Sequence, residues 1–318
     1  MSPQPLVIQT EHLDDAAGDW LRQRAELVRC ASNEERFAEL LPTADALVVR
    51  TYTRIDEALL DAAPALRVVG RAGIGLDSID VAACRARGVE VVYTPDSNSL
   101  AVVELVIAFA LDGTRDRLFL DRALPIEEWK SLRADLRARR QLCEMTLGIL
   151  GMGRVGSKLA RAGAGLFAEV IYHDMKEIAA EDRHGASTVG EDELLSRADV
   201  LSIHVDARPS NRHWLDRRRL NLVKDDVVIV NTSRGFVVDD AALASFLSQA
   251  PGACAMLDVH EPEPIAPDHP LLGLANGHLS PHIGAATRLA HERMSWVVRD
   301  VWRVLNGERP EWPAPEPL

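Results

Sequence analysis

Cysteine is scarce in this 318-residue chain, and its four copies, Cys30, Cys84, Cys143 and Cys254, stand far apart with no C-x-x-C pair among them. That spacing argues against a zinc site or a disulfide framework, and a reducing cytoplasm is the expected compartment. Positive charge is in deficit. Lysine and arginine total 36 against 48 aspartates and glutamates, a net charge of −12 with an isoelectric point near 5.3, so neither nucleic acid nor an anionic membrane is an expected partner. Long apolar runs are missing too. The longest, Leu100 to Leu111, is interrupted by Glu104 and falls short of the ~20 residues that a membrane span needs. The N-terminus shows no basic region followed by an apolar core, so no secretory signal is expected. There is no internal repeat, and the low-complexity content is confined to the proline-rich end, Pro310 to Leu318, which reads as an extended tail.

Against these absences stand 47% hydrophobic and 26% charged residues, enough for real cores and a solvated surface. The length suggests about two domains. In the first part of the chain, strand-like runs at Leu6 to Thr10, Ala25 to Cys30, Ala44 to Thr51, Leu66 to Arg71 and Val89 to Thr94 alternate with helical patterns at Leu13 to Arg22, Ile55 to Ala63 and Ile79 to Ala86. Such alternation predicts a parallel sheet covered on both faces. A second set, Thr146 to Leu150, Val170 to His173, Ala198 to Val205, Asp226 to Asn231 and Ala253 to Val259, predicts another.

The most specific local signal opens that second set. The strand Thr146 to Leu150 runs directly into Gly151-Met152-Gly153-Arg154-Val155-Gly156, and a helix-like segment follows. The first glycine permits a tight turn, the second lets the backbone approach a pyrophosphate, and the third lets the helix pack on its strand. The helix N-terminus then offers N–H groups to phosphates. Asp174 stands 18 residues beyond Gly156, at the end of the next strand. Its carboxylate can accept hydrogen bonds from ribose hydroxyls and would repel a 2′-phosphate, which favours NAD over NADP.

In open parallel sheets ligands lie beyond the carboxyl ends of the strands. The residues placed there include Asn231-Thr232-Ser233-Arg234-Gly235, then Asp258 to Pro264 with Glu263, and Ser280-Pro281-His282-Ile283-Gly284. An arginine, a glutamate and a histidine are therefore expected on one edge.

Gly70-Arg71-Ala72-Gly73-Ile74-Gly75-Leu76-Asp77, the glycine fingerprint, Asn231 to Gly235, Asp258 to Pro264 and Ser280 to Gly284 occur in this order, and together they resemble the D-isomer-specific 2-hydroxyacid dehydrogenases, with phosphoglycerate dehydrogenases nearest in motif. The resemblance runs from about residue 44 to 306. It implies two doubly wound α/β domains: a Rossmann cofactor domain at 99–284, inserted into a flavodoxin-like substrate domain made of 1–98 and 285–318. It assigns catalytic roles to Arg234, Glu263 and His282. His282 would be the general acid, Glu263 its partner on the other ring nitrogen, and Arg234 a fork for the substrate carboxylate. Contacts to NAD would come from Gly151, Gly153, Arg154, Val155, Gly156, Asp174, His204, Thr232 and Asp258, the last beside the nicotinamide. The amides of the Arg71-Ala72-Gly73-Ile74-Gly75 loop would take the substrate carboxylate. Arg50 and Arg71 either help to receive a substrate phosphate or are ordinary surface arginines.

The resemblance further implies that substrate binds in a cleft that closes and expels water. It makes a homodimer the expected state, through an arm within Leu118 to Met145 that carries Trp129. The last helix is expected over Ala286 to Leu305, with Ala290, Met294, Val297, Val301 and Val304 as its apolar stripe. One departure stands out: where the family reads His-x-Pro, this chain has His204-Val205-Asp206, followed by Arg208-Pro209-Ser210-Asn211. The resemblance makes a 2-hydroxy or 2-oxo acid the expected small-molecule partner. The leading pair is 3-phosphoglycerate and phosphohydroxypyruvate, with glyoxylate, hydroxypyruvate or another small 2-oxo acid as the alternative. An NAD(H)-sensing corepressor-like binding protein is the reading from a different class.

Overall fold

The computed structural model describes residues 4–136, 138 and 140–316. The chain divides into two units, one formed by 1–98 with 285–318 and the other by 99–284.

The first unit is built on five short parallel strands: β1 (Leu6–Gln9), β2 (Glu26–Arg29), β3 (Ala46–Val49), β4 (Val68–Arg71) and β5 (Glu90–Tyr93), in the order β2-β1-β3-β4-β5. This is the flavodoxin-like doubly wound order. The central strand β3 is buried along its whole length, as a parallel strand covered on both faces must be. One face packs Ile8, Leu47, Val69 and Val91 against Phe37, Leu60 and Cys84. The opposite face meets the end of the chain, where a Cβ at Gly70 would lie 2.4 Å from Val301 Cγ2. Gly70 is thus required by helix packing. Helix starts are set by aspartates whose carboxylates accept N–H groups of the first turn: Asp14 from Ala16, Asp56 from Leu59 and Asp80 from Ala83.

Where one terminal helix was expected, the structure has two, Arg288–Ser295 and Val298–Leu305. The break has a local cause. Ser295 donates its hydroxyl to the His291 carbonyl four residues back and accepts the Asp14 N–H, both at close range, an arrangement that bends helices. The next N–H groups, of Trp296 and Val297, reach back only three residues. The tightened turn rotates the buried stripe, so Val298, Val301 and Leu305 point inward after it and Val304 is only half-buried.

The proline-rich tail is extended and also pinned. Ala314 N–H donates to Val91 O at 2.7 Å, Tyr93 N–H donates to Trp312 O at 3.2 Å, and Pro313 bridges Val92 in antiparallel sense. It covers the open edge of β5. Positions 317 and 318 lie outside the described residues. The buried Asp300 secures this turn, accepting the N–H groups of Glu311 at 3.0 Å and Trp312 at 2.8 Å and the Arg303 guanidinium at 2.6 Å.

The second unit carries seven parallel strands: β6 (Thr146–Leu150), β7 (Glu169–His173), β8 (Ser187–Thr188), β9 (Val200–Ile203), β10 (Val228–Asn231), β11 (Cys254–Leu257) and β12 (Gly277–Leu279). Their order is β12-β11-β10-β9-β6-β7-β8, reversing direction at β6 and β9. That reversal is the switch point at which doubly wound sheets bind dinucleotides. The apolar run at Leu100 to Leu111 lies within the Ser99–Thr114 helix, whose Val102, Val103, Val106 and Ala110 pack on Leu147, Ile149, Val200 and Val230. No described helix is long and apolar enough to cross a membrane. Because all seven strands are parallel, every strand-end loop singled out in this unit leaves the same edge of one sheet.

Asp300→Ala is expected to lower unfolding stability by about 2–3 kcal/mol, because two backbone donors and an arginine lose their acceptor. Urea denaturation monitored by circular dichroism measures it. An unchanged midpoint would mean that the tail is held by other contacts.

Candidate active site

At the end of β6 the three fingerprint glycines differ in what demands them. Gly151 has φ +89°, and a Cβ there would fall 2.5 Å from His204 O; at Gly156 it would fall 2.1 Å from Gly151 O. These two are required by the chain's own backbone. A Cβ at Gly153 would meet nothing within 4 Å, so the space it leaves clear lies directly before the Arg154–Gly163 helix N-terminus, with Val155 in the first turn. Nearby polar groups suit a dinucleotide. Thr232 Oγ1, at the end of β10, is buried without a hydrogen-bond partner among the described residues. Asp174 accepts the N–H groups of Met152 at 2.6 Å and Lys176 at 2.8 Å, which fixes the carboxylate and leaves lone pairs for hydroxyl donors. His204 Nε2 lies 2.8 Å from Ser202 Oγ, and burial pushes its pKa down to about 3. His204 is therefore neutral at ordinary pH.

The loops after β10, β11 and β12 build a second cluster on the same edge. Asn231 is 1% exposed. Its Oδ1 accepts both the N–H and the hydroxyl of Ser233, and its Nδ2 donates to Arg234 O at 2.9 Å. This side chain folds the loop and fixes the Arg234 backbone, while the Arg234 guanidinium donates to Ser233 O at 2.7 Å. The next residue has no room for a side chain, since a Cβ at Gly235 would lie 2.1 Å from the His260 carbonyl carbon.

Glu263 Oε2 lies 2.8 Å from His282 Nδ1, and Glu263 Oε1 accepts the His260 N–H at 3.0 Å. An ionised carboxylate only accepts, so Nδ1 carries the proton and Nε2 is the ring atom left to exchange one. The hydrogen bond to Glu263 raises the His282 pKa above 6.5, with the charges of Glu263 and Asp258 adding to it and partial burial and Arg234 opposing it. For Glu263, burial works upward, but the bonds from His282 and from the His260 N–H outweigh it and hold the carboxyl below 4.5. Asp258, 1% exposed, turns its carboxylate on the histidine loop: it accepts Ile283 N–H at 2.8 Å, Gly284 N–H at 2.7 Å and the Ser280 hydroxyl. That clamp holds His282 at φ +54°, a left-handed conformation that few non-glycine residues adopt.

Asn231, Gly235, His260 and Ser280 were not singled out from sequence as site residues. A signal existed for Asn231, which ends a strand two residues before a serine and is placed for an Asx turn. None existed for His260, whose Nε2 reaches Ser280 O at 2.8 Å only after the two strands are brought together.

In the first unit the candidate anion loop is partly committed to the fold. Ala72 N–H donates to Val49 O and Gly73 N–H to Arg71 O, whereas the Ile74 and Gly75 amides have no hydrogen-bond partner among the described residues. Arg71 bends over its own loop, with Nε on Gly75 O at 2.8 Å and Nη1 on Ala72 O at 3.0 Å. Arg50 donates Nη1 to His12 O at 3.4 Å. Its neighbouring backbone wraps the Glu11 carboxylate, which accepts the N–H groups of Arg50, Thr51, Tyr52 and Thr53.

Residues 107–284 match the family model described as D-isomer specific 2-hydroxyacid dehydrogenase, NAD binding domain. The chain is 34% identical over 311 residues to a D-3-phosphoglycerate dehydrogenase of Archaeoglobus fulgidus, covering 95% of this chain and 57% of that one. It is 37% identical over 262 residues to a glyoxylate reductase of Aeropyrum pernix, covering 81% and 78%. Among solved structures it superposes on an Aquifex aeolicus D-lactate dehydrogenase complexed with NAD and lactic acid, with a TM-score of 0.81 at 26% identity, covering 95% and 96%. The chain thus belongs to the D-isomer specific 2-hydroxyacid dehydrogenase family, and it spans little more than half the length of the phosphoglycerate dehydrogenases it matches.

The His282–Glu263 pair also sets a stability window. The raised His282 pKa contributes stability below pH 6.5 that is lost as pH rises through the folded value, and the depressed Glu263 pKa contributes stability above pH 4.5 that is lost as pH falls through its folded value. The pair therefore contributes most between those limits. Titration of the His282 ring by NMR is expected to give a midpoint above 6.5 in the natural chain and a lower one in Glu263→Gln. Coincident midpoints would show that the bond does not poise the ring.

Proposed function

We propose that this chain is an NAD-dependent D-2-hydroxyacid dehydrogenase, and that its substrate pair is 3-phosphoglycerate and phosphohydroxypyruvate. The observation that carries the reaction class is the 2.8 Å bond between Glu263 and His282 Nδ1, on the sheet edge that also presents Arg234. NAD, when bound, supplies the hydride acceptor or, reduced, the hydride donor. In reduction of a 2-oxo acid, the carbonyl carbon gains the hydride while His282 Nε2 gives its proton to the carbonyl oxygen, leaving a neutral imidazole. Glu263 remains ionised throughout and stabilises the protonated ring. In oxidation the neutral ring takes the hydroxyl proton back. Arg234 orients the substrate through its carboxylate, which its planar fork matches in geometry. The clear space at Gly153, the fixed Asp174 and the unpartnered Thr232 hydroxyl support NAD as the group held at the β6 edge, with Arg154 at the start of the following helix. Asp258 supports the nicotinamide end by keeping the histidine loop in place.

The phosphate reading rests on Arg50 and Arg71 and on the likeness to phosphoglycerate dehydrogenases. A glyoxylate or hydroxypyruvate reductase is the second reading, favoured by Arg71, two of whose donors are given to Ala72 and Gly75 carbonyls, and by the likeness to the shorter Aeropyrum protein. We also assign a homodimer, supported by exposed Leu118, Phe119, Leu120, Ile126 and Trp129 in a segment with no buried helical residue; positions 137 and 139 of the arm lie outside the described residues. A reducing cytoplasm suits four unpaired cysteines.

Oxidation of NADH against phosphohydroxypyruvate, hydroxypyruvate, glyoxylate and pyruvate decides the substrate. Preference for phosphohydroxypyruvate, lost in Arg50→Ala/Arg71→Ala, is expected; an unphosphorylated acid turned over best would replace it with the second reading. His282→Ala is expected to lower turnover about 10²–10⁴-fold. NADH binding without turnover of any acid would favour a binding protein. In Glu263→Gln the basic limb of reduction and the acidic limb of oxidation both move to lower pH, because the ring loses the charge that raises its pKa. A stationary profile would remove Glu263 from the relay.

A further inference from the structure

The departure from the family motif at His204-Val205-Asp206 has a structure of its own. Asp206, just beyond β9, grips Arg208 through both carboxylate oxygens, with Nε on Oδ1 at 2.7 Å and Nη2 on Oδ2 at 2.5 Å. Asn211 Nδ2 donates to the Asp206 carbonyl and to Oδ1, fixing the turn that carries both partners. The remaining guanidinium nitrogen, Nη1, lies 3.4 Å from the sulfur of Met175. Met175 directly follows Asp174 and is 77% exposed. Arg208 thus spans from the β9 loop to the β7 loop, and the Asp174 carboxylate acts on its charge. Lys176 sits near enough to act on Asp206. Two cations and two anions therefore share the sheet edge where the fingerprint places the adenosine half of the cofactor.

An arginine in this position is the residue type that grips a phosphate with a bidentate fork. Here Asp206 already occupies that fork. A 2′-phosphate arriving beside Asp174 would meet a second carboxylate and a guanidinium whose Nε/Nη2 face is already taken by it. We propose that Asp206 is a second determinant of cofactor choice, separate from Asp174, which excludes NADP by holding Arg208 in a closed ion pair. The proposal rests on the NAD reading. It follows the logic by which specificity is built from elements that penalise the wrong ligand as well as contacts that favour the right one.

The test is a set of binding measurements on the folded protein, independent of turnover. NADH and NADPH are titrated by fluorescence, and 5′-AMP and 2′,5′-ADP by calorimetry, which isolates the adenosine end. The proteins are the natural chain, Asp206→Asn and Asp206→Ala, each also combined with Asp174→Ser, and every one of these with Arg208→Ala. Asp206→Asn keeps the shape of the turn and removes the charge, so it serves if the alanine variant folds poorly. The natural chain is expected to bind NADH and 5′-AMP and to discriminate against the 2′-phosphorylated ligands. Removing the Asp206 charge is expected to improve 2′,5′-ADP relative to 5′-AMP by about tenfold or more, most clearly in the Asp174→Ser background, and Arg208→Ala is expected to cancel the gain. An unchanged ratio in both backgrounds would reduce the ion pair to a loop staple and overturn the proposal, as would a gain that survives Arg208→Ala. A natural chain that binds neither NADH nor 5′-AMP would bring down the cofactor reading itself, and this inference with it.

Discussion

All seven strands of the second sheet run the same way, and the candidate chemistry depends on that constraint. Parallel strands deliver their carboxyl ends to a single edge, so residues far apart in sequence, Asp174, Thr232, Arg234, Asp258, Glu263 and His282, leave the sheet side by side. The fully buried strands β9, β10 and β11 supply the rigidity. Loops springing from a packed core can hold side chains to within tenths of an ångström, as proton transfer requires.

Around that edge, buried polar residues act on the backbone and leave exposed ones to act on ligands. Asn231 spends its amide on shaping the arginine loop, and Asp258 spends its carboxylate on the histidine loop. Both are 1% exposed, so each bond is made where water competes poorly and an unsatisfied partner would be costly. His282 and Glu263 are more open, with side chains 45% and 32% exposed. This division is what a protonatable pair needs: a fixed scaffold beneath and access to a reacting oxygen above. The raised pKa of His282 extends upward the pH range over which the ring holds its proton, without removing its ability to give that proton away.

Much of this was legible in the amino-acid order, because periodicity and glycine placement are local properties. Alternating apolar runs predicted strands whose cores sit where β1 to β5 are found, though most strands stop short of the predicted ends because the polar residues there turn into loops. The paired sheets and the glycine turn required no long-range information. The break at Trp296 did, since it arises from Ser295 meeting Asp14 across 281 positions of sequence. So did the anchoring of the tail, which needs Asp300 and the free edge of β5 at once. The grip of Asp206 on Arg208 is only two residues long, yet its meaning depends on Met175 and Asp174 arriving from another strand.

The proposed reaction at this edge is stereospecific reduction at the carbonyl carbon of a 2-oxo acid. Its most direct test is to incubate the natural chain with NADH deuterated at the transferring position of the nicotinamide and the best 2-oxo acid substrate whose product is chiral at carbon 2, then analyse the product by mass spectrometry and chiral chromatography. A single deuterium at carbon 2 in a product of exclusively D configuration is the predicted result. An unlabelled product, or one of L or mixed configuration, would rule out direct D-specific hydride transfer at this edge.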